Sequence, residues 1–552
     1  MGNMRTIDSL ILVVFFIVMA GIGPFFARRK KSRNTEAYFV GNRSFPGWLI
    51  GLSMFATSIS SVTVVAYPAD AFKTAYLRIL IPLALPLGIL ICSAIFLPFY
   101  RRARVTSAFE YLESRFGPGV RLYAALAFIV NQFTRLALIL YLVAVLVHEM
   151  TGLPTASCVV IGGLVTSFYT VTGGIEAVVW SGFIKSFLLW AGCIAIFVTV
   201  VSGIDGGIPR IISEASADHK FMLGDLNTAT GKLEAAPWGF SLVTKTVPML
   251  FLVGLVNFLF EYSSNQNVIQ KYVAAKNPKE ATRAIWVCCA CSIPTWAFFM
   301  FLGTSFYVYF KLNPAAEATA LLTGAGGAKA EGILPYFVIH KLPAGLSGLV
   351  VAAILAAAMT ALASSINAIS AVGVTDVYKR RSVRDASPRH YYFAAIGFSI
   401  IGSIAMFIGA FLLMLADGKT MQDTATKMAA LTTAGLLGIY CLGFLTKRGD
   451  GRSVGVGIVS VLLYSLWICA IELKWITLDR TLALGLSEGW AKFIAMPMDT
   501  YYAGIFGNLI VFVVSFLVAT FIFPTTRDLK NLTVWDQDWR EPELPDDAPQ
   551  ES

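Results

Sequence analysis

Apolar runs of about twenty residues recur along the chain, at 7–27, 46–70, 75–101, 118–148, 154–172, 175–203, 244–272, 280–310, 346–376, 390–415, 425–446, 453–474 and 500–523. A hydrocarbon core of ~30 Å is crossed by a helix of about 20 apolar residues, so each run is long enough to span. The pattern predicts thirteen transmembrane helices in an all-α polytopic membrane protein. Composition agrees: 57% of the 552 residues are hydrophobic and 14% are charged, more apolar surface than a soluble chain of this length can hide.

The net charge of +10 is a topology signal and not a nucleic-acid surface, because the basic residues sit in short connections between apolar runs. Six Lys and Arg fall in 28–45, four in 101–117 and five in 377–389, against three in 204–243 and three in 311–345. With an odd number of spans, this bias puts the N-terminus outside and the C-terminus inside. The first run ends in Arg28-Arg29-Lys30-Lys31 without a small-residue cleavage site, so it reads as a span and not as a signal peptide. Met1 to Thr6 fits a myristoylation pattern but lies on the wrong side of the membrane, a chance match. The polar, acidic stretch after Phe523 is expected to be a disordered cytoplasmic tail. All eight cysteines lie in apolar runs; Cys288-Cys289-x-Cys291 lacks metal-ligand spacing and reads as packing. His148, His219, His340 and His390 lie at membrane ends or in loops, which argues against a histidine proton relay.

Two spans are interrupted. The second carries Ala56-Thr57-Ser58-Ile59-Ser60-Ser61 with Thr63 beyond, and the seventh carries Glu261-Tyr262-Ser263-Ser264-Asn265-Gln266. Polar, non-helical backbone is tolerated at membrane depth where it lines a protected cavity. Helix–helix hydrogen bonding is the other reading of one such island. The islands lie five spans apart, an odd number, so they head units of opposite orientation. Two inverted five-helix repeats, each led by a broken helix, point to a secondary transporter with its site at the midplane. The expected organisation is a leading helix and basic loop (1–45), a first repeat (46–203), an extracytoplasmic loop (204–243), a second repeat (244–446), two accessory helices (447–523) and a tail (524–552).

Several motifs resemble those of the solute:sodium symporter family. They are Ala37-Tyr38-Phe39-Val40-Gly41-Asn42-Arg43-Ser44, then Glu110-Tyr111-Leu112-Glu113-Ser114-Arg115-Phe116-Gly117, and Tyr169-Thr170-Val171-Thr172-Gly173-Gly174-Ile175-Glu176-Ala177-Val178-Val179-Trp180. Asn265 to Tyr272 and Ala356 to Asn367 complete the set, which covers about 30–450. The resemblance implies a leucine-transporter-type fold, two inverted five-helix repeats plus flanking helices. It also implies a sodium site made by the carbonyls of Ala56, Ile59 and Ala357 and the hydroxyl of Thr360. The second hydroxyl position is Ala361. A further sodium site of some relatives uses an aspartate where this chain has Gly182, with Thr360, Ala363 and Ser364 as its other positions. The resemblance therefore implies a weakened first sodium site and no second one.

Lys185 lies inside the sixth run, one helical turn beyond Gly182. A lysine at that depth is expensive and marks a functional hypothesis. It has three readings: a coupling group whose ammonium or proton replaces a sodium, a structural partner of Glu261 or a helix end, or a lysine turned away from an intact sodium site. Arg135, halfway along the fourth run, offers the planar fork suited to a carboxylate. Bacterial sialic-acid symporters of the family resemble this chain here, which implies carboxylate recognition by Arg135 aided by Ser58, Ser60 and Thr63. A helix-bridging role is the alternative for Arg135. Arg78 and Pro82 depart from that group, so the sugar-facing side differs. Glu261 and Tyr262 stand where relatives place gating aromatics, and two cations against one carboxylate favour an anionic solute.

The expected function is cation-coupled import of a small, carboxylate-bearing organic solute across a plasma membrane, a bacterial inner membrane, by alternating access. The partners expected are that solute, the sodium ion and the lipid bilayer, with no organic cofactor and no nucleic acid. A neutral sugar or amino acid is the alternative cargo; a channel or sensor is the alternative class. A membrane enzyme has only the pair Asp536 and Asp538 to offer, in the polar tail.

Overall fold

A computed structural model describes residues 5–29, 35–102, 107–227, 230–325, 329–383, 386–415, 435–472, 474–485, 487–496, 498, 500–524 and 529–535. The main helices are α1 (Thr6–Arg29), α2 (Gly47–Ser58), α3 (Ser61–Lys73), α4 (Leu85–Arg102), α5 (Pro118–Thr151), α6 (Thr155–Ser202), α7 (Val247–Ser263) and α8 (Gln266–Val273). They continue with α9 (Pro278–Leu312), α10 (Leu346–Val372), α11 (Pro388–Leu415), α12 (Leu436–Leu445), α13 (Gly451–Glu472) and α14 (Ala503–Phe521). One antiparallel hairpin, β1 (Gly224–Leu226) with β2 (Leu233–Ala235), sits in the connection before α7.

Among the described residues nine helices are long and apolar enough to cross a membrane, or up to eleven if each of two bent pairs is one span. The expected thirteen is therefore corrected to nine to eleven. The expected spans 154–172 and 175–203 form one 48-residue element, α6, hinged at Gly174 with φ 60° and ψ −151°. Only glycine adopts that backbone readily, and a Cβ there would come within 2.8 Å of the Tyr38 ring. Of the expected span 425–446, the residues up to 434 lie outside those described, and the rest is α12, ten residues long. The myristoylation pattern at Met1 and the acidic tail with Asp536 and Asp538 also lie outside the described residues.

Depth in the bundle follows side-chain size. The span built on α10 is rich in Ala and Ser, and 94% of its apolar window is buried, against 22% for α1, α13 and α14. Small side chains let helices approach closely, so α10 takes the centre, packed against α5, α6 and α11. The outer helices turn Ile7, Leu10, Val459 and Leu463 outward, as a lipid-facing surface requires. Buried Asp8 of α1 accepts from the backbone N–H groups of Gly345 and Gly348 at 2.7 and 2.8 Å, which caps the start of α10. At the opposite end of α10, Arg121 bridges Glu113 and Asp376, both at 2.6 Å, and Arg380 also binds Glu113.

Candidate functional site

Both polar islands break their helices. α2 ends at Ser58, Ile59 is extended (φ −91°, ψ 94°), and α3 restarts at Ser61 with Ser60 as its N-cap, accepting from the Thr63 N–H at 3.4 Å. Hydroxyl side chains compete for backbone groups, which is why a Ser/Thr run breaks a helix. Ser58 Oγ donates to the Phe55 carbonyl at 2.8 Å. The second break lies at Ser264 and Asn265. Asn265 caps α8 by accepting from the Asn267 N–H at 3.0 Å, and its Nδ2 donates to Glu261 at 2.7 Å. The two pairs bend by 56° and 52°.

A cavity of about 30 Å3 lies between the breaks, with Thr57, Ser58, Glu261, Tyr262, Asn267 and Lys271 among its walls. In its wall Ser58 Oγ pairs with Ser292 Oγ, hydroxyl to hydroxyl, at 3.3 Å. Of the residues expected to meet substrate, Ser58, Glu261 and Tyr262 line this cavity; Ser60, Thr63 and Arg135 are not among its walls. Ser60 and Thr63 pair with each other, hydroxyl to hydroxyl, at 3.2 Å. Arg135 is half-buried on α5. Arg78 forms an ion pair with Asp70 at 3.0 Å. The Tyr262 hydroxyl donates to Cys288 Sγ at 3.5 Å.

The four positions expected around sodium, Ala56, Ile59, Ala357 and Thr360, are all buried. The break leaves the last carbonyls of α2 without intrahelical donors, the hard oxygen ligands a cation needs. Thr360 Oγ1 donates to the Ala356 carbonyl at 2.8 Å and keeps its lone pairs as acceptors. Thr57 and Ser364 join α2 to α10, hydroxyl to hydroxyl, at 3.0 Å. Gly182 packs directly against α2: a Cβ there would stand 2.9 Å from Ser53 Oγ.

Lys185 is buried. It donates to the Tyr169 hydroxyl at 2.7 Å and lies 4.5 Å from that ring. Tyr169 in turn donates to the Met359 carbonyl at 2.8 Å, one residue before Thr360. Tyr169, and not Glu261, accepts its hydrogen bond. A second buried ammonium was not anticipated. Lys271 of α8 donates to the Ser53 carbonyl at 2.9 Å and to Thr57 Oγ1. The signal is a lysine inside a predicted span, near the end of the Asn265 to Tyr272 motif.

Two broken helices that place the Thr57 and Ser58 hydroxyls, the Glu261 carboxylate and the Lys271 ammonium around a buried cavity are the arrangement of a secondary transporter. The profile of the Sodium:solute symporter family matches residues 38–449. The sodium/sialic acid symporter SiaT of Proteus mirabilis is 31% identical over 82% of this chain and 87% of its own. The sodium/sialic acid symporter NanT of Aliivibrio fischeri is 27% identical over 93% of each chain. A solved substrate-bound, outward-open Na+-coupled sialic acid symporter superposes with a TM-score of 0.79 at 27% identity, covering 94% of this chain and 98% of that one. The chain belongs to the sodium:solute symporter family. It is a multi-pass, secondary active, sodium-coupled transporter of the plasma membrane, and the family is one of transporters and not of enzymes.

Proposed function

We propose that this protein imports a carboxylate-bearing sugar acid of the sialic acid type, driven by a sodium gradient. The observation that carries this reading is the charge at the helix breaks: the buried Lys271 ammonium lines the cavity, the buried Lys185 ammonium lies on Tyr169, and Glu261 is the one carboxylate among that cavity's walls. Such a balance favours an anionic solute. Arg135 meets the carboxylate through its fork, with the Ser58, Ser60 and Thr63 hydroxyls orienting the solute. One sodium ion sits among the Ala56, Ile59 and Ala357 carbonyls and the Thr360 hydroxyl. The site is weakened because Ala361 supplies no hydroxyl, and Lys185 provides the second positive charge in place of a second sodium. The two broken helices head the repeats 46–203 and 244–446, which rock against each other to expose the site to either side. The partners of the reading are the solute, sodium and the bilayer.

The test is thermal unfolding of the purified protein with sialic acid, in sodium and in choline chloride. Ligand binding raises the unfolding temperature by mass action. The reading predicts a stabilisation that requires sodium and is absent with a neutral hexose. Stabilisation by the hexose and none by any carboxylate contradicts it.

A further inference from the structure

Lys271 and Asn267 stand four residues apart on α8, so they present one face of that helix to the cavity. The Asn267 side chain is 3% exposed, yet neither its Nδ2 nor its Oδ1 has a hydrogen-bond partner. A buried amide left unpaired is costly, so its place in a transporter's cavity wall points to a ligand that completes it. Lys271 uses two of its three N–H donors, on the Ser53 carbonyl and Thr57 Oγ1. One donor remains. The cavity of about 30 Å3 is on the scale of one or two waters, which is the scale of a carboxylate's two oxygens.

We infer that Lys271 and Asn267 form a second carboxylate subsite, at the α7–α8 break and separate from Arg135. The Lys271 ammonium and Asn267 Nδ2 each donate to one carboxylate oxygen, and Asn267 Oδ1 accepts from a neighbouring hydroxyl of the solute. The one carboxylate in the wall, Glu261, is already held by Asn265 at 2.7 Å and marks the far edge of the subsite. Trp296 and Tyr262 complete the wall around this carboxylate-sized space. The solute passes from Arg135 to this subsite as the helices move, so Lys271 and Asn267 determine specificity for the acid. This deepens the sugar-acid reading above and rests on it.

The experiment compares sialic acid with its methyl ester as competitors of labelled sialic acid uptake in proteoliposomes. Lys271→Gln and Asn267→Asp should each raise the half-saturation for the acid about tenfold, the worth of a charged hydrogen bond, and bring the acid-to-ester preference near one. Lys271→Arg should keep the preference within about threefold of wild type. An unchanged preference in both Lys271→Gln and Asn267→Asp overturns the subsite. Asn267→Cys, a small change, covers variants that fail to assemble: solute should protect this thiol from a charged thiosulfonate reagent. Loss of sialic acid transport by the wild type itself would reject the proposed cargo and not the subsite. In that case, protection of Asn267→Cys by lactate or pyruvate supports the subsite, and no protection by any carboxylate rejects it.

Discussion

Replacing Lys185 by methionine separates a structural lysine from one that acts on coupling. The ammonium makes one hydrogen bond, 2.7 Å to the Tyr169 hydroxyl, and lies 4.5 Å from the same ring. A hydrogen bond from a charged donor contributes about 1.5–3 kcal/mol and a desolvated cation–π contact about 2 kcal/mol. Against them stands the desolvation of a buried ammonium, which costs several kcal/mol. These terms nearly cancel, and methionine fills a similar volume without charge, so the variant should unfold at the wild-type temperature or above it. The effect on sodium is one-sided. At an effective dielectric of about 20, two unit charges repel by roughly 3 kcal/mol at about 5 Å and roughly 2 kcal/mol at about 8 Å, about 30–150-fold in affinity. The assay is the sodium dependence of solute uptake in proteoliposomes, read beside the unfolding temperature. The half-saturation for sodium should fall by about tenfold or more in Lys185→Met. A sodium half-saturation unchanged in a variant that has lost stability would refute the reasoning and leave Lys185 a packing element.

Arg135→Lys keeps charge but loses the fork, and affinity for the solute should fall by roughly 1–3 kcal/mol in a binding titration, with little change in sodium affinity. Asp8→Ala leaves two backbone N–H groups at the start of the central helix without their acceptor; the unfolding free energy in detergent should drop by about 1–2 kcal/mol. Lys220, in the connection between α6 and α7, donates to the carbonyls of Ala71, Phe72 and Thr74 at the end of α3, and burial pushes it down to about 7 while Asp218 and Asp70 oppose the shift. A lysine held below its ordinary value binds fewer protons folded than unfolded, so stability rises with pH from about 7 towards 10.5. Lys220→Met should flatten that part of the curve of unfolding temperature against pH.

The breaks were legible because they are local chemistry: Ser60 and Asn265 cap from within a few residues of the backbone they replace. The span count was not, because an apolar window measures composition. It cannot see that one left-handed glycine, Gly174, keeps two windows in one hinged element. Lys185 announced itself by depth alone, but its partner Tyr169 lies 16 residues away across that hinge, where no pattern points. Lys271 was harder still. Its role comes from Ser53 and Thr57, more than 200 residues earlier, and only the packing of α8 on α2 brings them together. The Asp8 cap joins residues 337 apart and has no local signature. Ser60, Thr63 and Arg135 were read from a relative's pattern; the structure sets them outside the walls of the cavity that Ser58 and Glu261 line.

The most direct test of the account is uptake of labelled sialic acid into proteoliposomes holding the purified protein, under an imposed inward sodium gradient. The account predicts accumulation above equilibrium that collapses when sodium is equal on both sides, and that is competed by other sugar acids but not by neutral hexoses. Uptake that only equilibrates whatever the sodium gradient, or that carries a neutral sugar in preference to the acid, would contradict it.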